Sequence, residues 1–321
     1  MARRHLAGMS SGVALVALLF AVRAGCQIRQ EATAPDTNVW ESHAATRAAL
    51  LAAGDADSLE AAGFLTPKDR SNERLQLMQR AAAAAPGRHD LAWAALAECI
   101  RVESCDVTPL EARLRAADPG NGAAWMGTLA RASAGSPQSQ AALAGISGSE
   151  RFDLYWNQLI VHTADALKRT RTIEDKEAVV IATGLGASQA IPALQRLSGP
   201  CRDGAAAQPE ELGRCRRLVE ALRRGDTLII EGLGLSLARR VWPASSEEYR
   251  QAVEARRVLD YRQSKEDEWS SGLASDAWAN RYLERLANHR TEQEALVAGL
   301  LASGINPNPP AGWIDPFAAA R

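Results

Sequence analysis

Few side chains in this chain are placed to do chemistry. Of the five histidines, only His162 has a suggestive neighbour: Asp165 follows three residues later, on the same face of a helix. That pair has the makings of a base with its orienting carboxylate, or of two metal ligands. Glu231 stands between Ile230 and Gly232 in an otherwise apolar stretch, where burial would raise its pKa and equip it as a general acid. The alternative for all three is an ordinary place on a helix surface. No H-E-x-x-H and no Asp-rich loop accompanies them, so the sequence specifies no cofactor and no metal site.

The cysteines are Cys26, Cys99, Cys105, Cys201 and Cys215. Cys99 and Cys105 span the end of a helix predicted over 91–102 and the turn after it. Cys201 and Cys215 bracket a loop rich in Gly, Ala and Pro and enter the next helix. In an oxidising compartment both pairs read as disulfides. A zinc or redox site would want a C-x-x-C or a histidine at ligand spacing, and neither occurs.

The compartment is written at the start of the chain. Arg3, Arg4 and His5 precede an apolar run over 13–22, and small residues lead to Cys26. This is the layout of a secretory signal over 1–25, too short to span a bilayer as a mature helix. Cleavage after Ala24 would release a soluble periplasmic protein. Ala24-Gly25-Cys26 also resembles the end of a bacterial lipobox, which implies lipidation of Cys26, although Arg23 stands where that pattern has an apolar residue. The odd cysteine suits a lipid carrier, and the acyl chain would be the chain's one link to a membrane.

The elements that must hold these groups are helical. Roughly 295 residues remain after export, enough for one large or two modest domains. Apolar residues make up 46% of the chain, so a substantial core can form, and a net charge of −1 offers no basic face to nucleic acid. Trp93, Trp125 and Trp156 recur at spacings of 32 and 31; Ala85-Pro86-Gly87 precedes the first and Asp118-Pro119-Gly120 the second. A period in the low thirties is the size of one helix-turn-helix unit. Trp93, Leu96 and Ala97, with Leu110, Leu114, Ala116 and Pro119 after them, resemble a degenerate tetratricopeptide repeat over about residues 75–170. That resemblance implies a helical solenoid whose concave face binds a peptide or protein. The tryptophans are expected to pack between helices.

Capping patterns agree with an all-α fold. Thr108-Pro109-Leu110-Glu111, Ser245-Ser246-Glu247-Glu248 and Thr291-Glu292-Gln293-Glu294 each read as a helix start, and Gly304 as a stop. Residues 178–195 carry no charge and contain Gly184 and Gly186; a similar segment contains Gly232 and Gly234. Without a P-loop ending, these glycines are expected at close helix–helix contacts. A charged helix over 245–269 should be solvated, and the Pro-rich tail has Trp313, Ile314 and Phe317 as anchors. The expected organisation is a signal (1–25), a tetratricopeptide-like region (26–171), a C-terminal α-helical domain (172–303) and an irregular tail (304–321). The expected role is non-enzymatic: a scaffold of the bacterial cell envelope that binds another envelope protein or peptide. The rival classes are an envelope-acting hydrolase or lyase, with its site near His162 or Glu231, and a structural tether.

Overall fold

The structure, a computed structural model, describes residues 43–187, 191, 194–201, 208–270 and 275–314. The signal segment, Cys26 and Phe317 lie outside them. The described residues form α1 (Ala44–Ala53), α2 (Ala56–Phe64), α3 (Ser71–Ala84), α4 (His89–Arg101), α5 (Thr108–Ala117), α6 (Met126–Arg131), α7 (Pro137–Ser147), α8 (Trp156–Thr170), α9 (Asp175–Ala187), α10 (Leu194–Ser198), α11 (Pro209–Arg223), α12 (Leu228–Val241), α13 (Glu247–Ser270), α14 (Asp276–Asn288) and α15 (Glu292–Ala302). A 3-10 turn, Gly122–Trp125, leads into α6. The fold is all-α; among the described residues the one extended pairing is an isolated bridge between Asn121 and Arg151.

Local chemistry accounts for many of the helix ends. Asp55, Ser136, Thr227 and Ser275 each accept a backbone N–H at the start of α2, α7, α12 and α14. Thr291 and Glu294 form the expected capping box on α15, and Gly304 stops that helix with φ +73°. Thr108 does not form its box. Asp106 accepts the Thr108 amide at 2.9 Å instead, and Glu111 turns away to accept the N–H (2.7 Å) and hydroxyl (2.5 Å) of Thr128 at the start of α6. Glu111 is buried, so it satisfies a neighbouring helix's orphan amide rather than its own.

A helical hairpin goes with each of the three tryptophans: α4/α5 contains Trp93, α6/α7 follows Trp125 and α8/α9 starts on Trp156. α4 packs on both α3 and α6, so the first two of these hairpins are neighbours. α8 turns back onto α1, α2 and α4, and carries α9 and α14 on another side. α7 packs against α11, α12 lies between α11 and α13, and α15 closes against α13 and α14. One apolar cluster runs through all of this, from Leu50 to Leu300.

The tryptophans, Gly186 and Gly234 do pack helices together, whereas a Cβ at Gly232 would make only ordinary contact, 3.4 Å from an Arg256 nitrogen. Trp93 is buried; the Trp125 indole covers Gly145 of α7, with the Arg115 guanidinium 4.4 Å from its ring centre. A Cβ at Gly186 would meet the Trp156 ring at 3.3 Å, and one at Gly234 would lie 2.8 Å from the Arg223 backbone nitrogen. Those missing side chains let α9 approach α8 and α12 approach α11. α13 pairs Arg250 with Glu247 and Arg257 with Glu254 at the surface, and Arg262 donates to the Pro307 carbonyl at 2.9 Å. Trp313 of the tail rests edge-on against Tyr261, while Ile314 is exposed. No helix among the described residues is long and apolar enough to cross a membrane.

Both expected disulfides are present, with Cα–Cα distances of 5.4 Å for Cys99–Cys105 and 5.8 Å for Cys201–Cys215. Arg131 donates to the carbonyls of Cys99 (3.0 Å) and Val102 (2.6 Å), which ties the first bridge's turn to α6. The second bridge joins the start of α11 to the segment before it. Replacing both Cys201 and Cys215 by Ala should lower the unfolding free energy by about 3 kcal/mol in denaturant titration. An unchanged midpoint would mean that the loop is held by other contacts.

Candidate functional site

The loops that lead into α4, α8, α12 and α15, the first turns of α4 and α8, and Asp118 after α5 enclose one cleft. Its volume is about 470 Å³, within the usual range for small-molecule sites. Most of the residues that line it carry charged or polar groups: Arg88, Asp90, Asp118, Arg151, Asp153, Tyr155, Gln158, His162, Asp226 and Arg290, with His89 and Gly87 at α4.

At α4, Arg88 Nε donates to Asp90 Oδ1 (2.8 Å) and Nη1 to Asp57 Oδ1 (2.9 Å), while Nη2 contacts Asp90 Oδ2 and His162 Nδ1. The same His162 nitrogen lies 3.1 Å from Asp90 Oδ2. Burial alone would raise the Asp90 pKa, but the hydrogen bonds from Arg88 and His162 outweigh it and hold the carboxyl well below the usual range.

Asn121 organises the next wall. Its Oδ1 accepts the amides of Ala123 (3.0 Å) and Asp153 (2.9 Å), and its Nδ2 donates to the Asp153 carbonyl (2.9 Å) and to Tyr155 Oη (3.0 Å). Tyr155 Oη donates to Asp118 Oδ2 at 2.6 Å, and burial followed by that carboxylate pushes the phenol pKa up. Arg151 reaches both oxygens of Asp118 (2.7 Å) and one of Asp153 (2.7 Å). Arg290 closes the set onto Asp153 at 2.8 and 3.0 Å. Tyr155 adopts φ +56°, a left-handed conformation that costs a bulky residue energy and is held here by the bonds around it.

Asp226 comes from the far side. Its two oxygens accept the amides of Leu154 (2.8 Å) and Trp156 (2.9 Å), capping α8 from another loop. Gly225 makes that approach feasible, since a Cβ there would lie 2.9 Å from the Phe152 carbonyl oxygen. Asp226 is buried; burial first, and the Asp153 charge second, raise its pKa against the pull of the two amides. Its carbonyl accepts the Glu292 amide (2.8 Å), and Glu292 in turn accepts the Leu228 amide at the start of α12 (2.8 Å).

Of the residues singled out in the sequence, His162 lines the cleft, but its partner is Asp90. Asp165 is exposed on α8, away from that pair. Glu231 sits partly buried on α12, outside the cleft lining; burial raises its pKa, opposed by the charges of Arg262 and Arg223. The signal overlooked was the tripeptide Arg-x-Asp at 88–90, 151–153 and 224–226, which stands at the entry of α4, α8 and α12. Arg290-Thr291-Glu292 takes the same place before α15. Among the described residues no group of three or more His, Cys, Asp or Glu is arranged to hold a metal ion. In comparisons with protein-family models, curated proteins and solved structures, none matched this chain.

Behind the cleft, Glu60 of α2 is 0% exposed and neither carboxyl oxygen has a hydrogen-bond partner among the described residues. Burial, with the charge of Asp90 next, raises its pKa well above the ordinary value. The folded state therefore holds a proton that the unfolded chain releases above the ordinary carboxyl range, and stability is lost as pH rises through the interval up to the folded pKa. Glu60→Gln should thus raise the melting temperature relative to the parent by an increment that grows from pH 5 to pH 8. An increment that is flat with pH, or a loss at pH 8, would mean that Glu60 is ionised in the fold.

Proposed function

We propose that this chain is an exported protein of the bacterial envelope that captures a small polar ligand in the cleft between its hairpin loops. The observation that carries the reading is convergence: five loops, distant in sequence, turn paired charges and the strained Tyr155 toward one 470 Å³ space. Strain and desolvated charge pairs cost stability, and they concentrate where a site must be preorganised. The two disulfides support an oxidising compartment, as does the basic-apolar start of the chain. The neighbouring hairpins at Trp93 and Trp125 support the tetratricopeptide-like reading of that region. A scaffold for a protein partner is the rival class, and its binding would not depend on the cleft.

The Asp90–His162 contact favours a second, catalytic reading of the same cleft. In the tautomer that donates Nδ1–H to Asp90, with Arg88 Nη2 turned away from that nitrogen, Nε2 of His162 would take a proton from water as the water oxygen adds to the carbonyl carbon of a bound ester. It would return that proton to the alkoxide as its C–O bond breaks. His162 would then be the base and Asp90 its orienter.

The test is to equilibrate the purified mature chain with the low-mass fraction of an envelope extract, re-isolate it and record native mass spectra. The parent should retain a small molecule that Asp118→Asn and Tyr155→Phe lose while keeping the parent circular-dichroism spectrum. Retention of protein partners alone, equally by all three, would replace this reading with the scaffold. Turnover of the retained molecule, abolished by His162→Gln, would carry the catalytic reading; an intact ligand after long incubation would remove it.

A further inference from the structure

We infer that the occupant of the cleft is a neutral, hydroxyl-rich molecule, a short saccharide, rather than an anion or a cation. This rests on the cleft being a ligand site and adds the chemical class. The charges around the cleft compensate one another. Arg88 is matched by Asp57 and Asp90, and Arg151 and Arg290 by Asp118 and Asp153; the remaining carboxyl, Asp226, is spent on the Leu154 and Trp156 amides, with its pKa raised by burial. An anionic ligand would have to approach carboxylates that already face the space, and an ammonium would have to approach guanidiniums. Either would leave one sign unbalanced in a partly desolvated site, which is costly.

The groups still unengaged are mixed donors and acceptors. Gln158 is exposed into the cleft on the first turn of α8, and no hydrogen bond holds its amide among the described residues. Arg290 uses Nη1 on Asp153, and its Nε and Nη2 make no hydrogen bond among the described residues. His162 uses Nδ1 on the Asp90 side, so its Nε2 remains. His89 and Tyr155, both in the cleft lining, meet edge-on with ring centres 6.1 Å apart and add aromatic carbon to the wall. Sugar hydroxyls both donate and accept, and vicinal pairs bridge the two oxygens of a carboxylate or the two nitrogens of a guanidinium without disturbing an ion pair. A sugar ring also offers C–H faces to the aromatic edge.

Calorimetric titration of the full mature chain at neutral pH tests this with defined probes. The panel is neutral hexoses and N-acetylhexosamines with their di- and trisaccharides, set against inorganic phosphate, a diamine and an uncharged tripeptide. At least one saccharide should bind saturably. Gln158→Ala, a change at an exposed position, should weaken it at least tenfold, as should Arg290→Gln. Binding of phosphate, diamine or tripeptide with the same loss in Gln158→Ala would overturn the saccharide assignment while leaving the ligand site in place. Silence of the whole panel, together with no retained small molecule from envelope extract, would overturn both. Saccharide binding that neither variant weakens would place it elsewhere on the protein and also contradict the inference.

Discussion

One buried carboxylate sets the geometry on which the cleft depends. Asp226, on the loop between α11 and α12, presents an oxygen to each of the Leu154 and Trp156 amides, two donors at the entry to α8. The first amides of a helix have no partner within it, and buried ones left unpaired cost about 1–3 kcal/mol each. α8 begins on Tyr155, whose left-handed backbone provides no cap of its own. The helix that carries His162 is therefore anchored by a loop some 70 residues further along the chain, and the two halves of the protein are bound at that point. Glu292 repeats the arrangement when it accepts the Leu228 amide, and Asp226 hands its carbonyl to Glu292.

The same constraint explains the electrostatics. Helix N-termini carry partial positive charge and draw carboxylates toward them. With several N-termini turned to one place, Asp90, Asp118, Asp153 and Asp226 accumulate there and would repel one another. Arg88, Arg151 and Arg290 answer that repulsion, each reaching a carboxylate at a distance typical of charge-assisted bonds. Side chains on loops, held by each other rather than by packing, leave a polar space between them. Glu60 lies behind this network with no hydrogen-bond partner among the described residues, and burial raises its pKa.

The elements legible in the sequence were those governed by near neighbours. The Thr291 capping box, both disulfides, the packing tryptophans and the glycines at helix contacts follow from residue type and short spacing, and the structure contains them. The all-α class follows from the same signals. The candidate site was only partly legible. His162 was visible as an isolated histidine, but helical spacing pointed to Asp165, whereas the fold brings Asp90 from 72 residues away. Glu111 behaved likewise, leaving its local box for Thr128. Long charged side chains choose partners by tertiary position, which periodicity does not encode. The recurring Arg-x-Asp tripeptides became informative only once the hairpins had placed them together.

Hydrogen exchange at the entry to α8 tests the account most directly. In the parent protein the Leu154 and Trp156 amides should exchange as slowly as those of the α3 core. In Asp226→Ala they should exchange at least tenfold faster, while the amides of Leu77 and Met78 in α3 keep their protection. Protection at 154 and 156 that survives the loss of Asp226 would contradict the account, because the cleft wall would then be held by something other than this carboxylate.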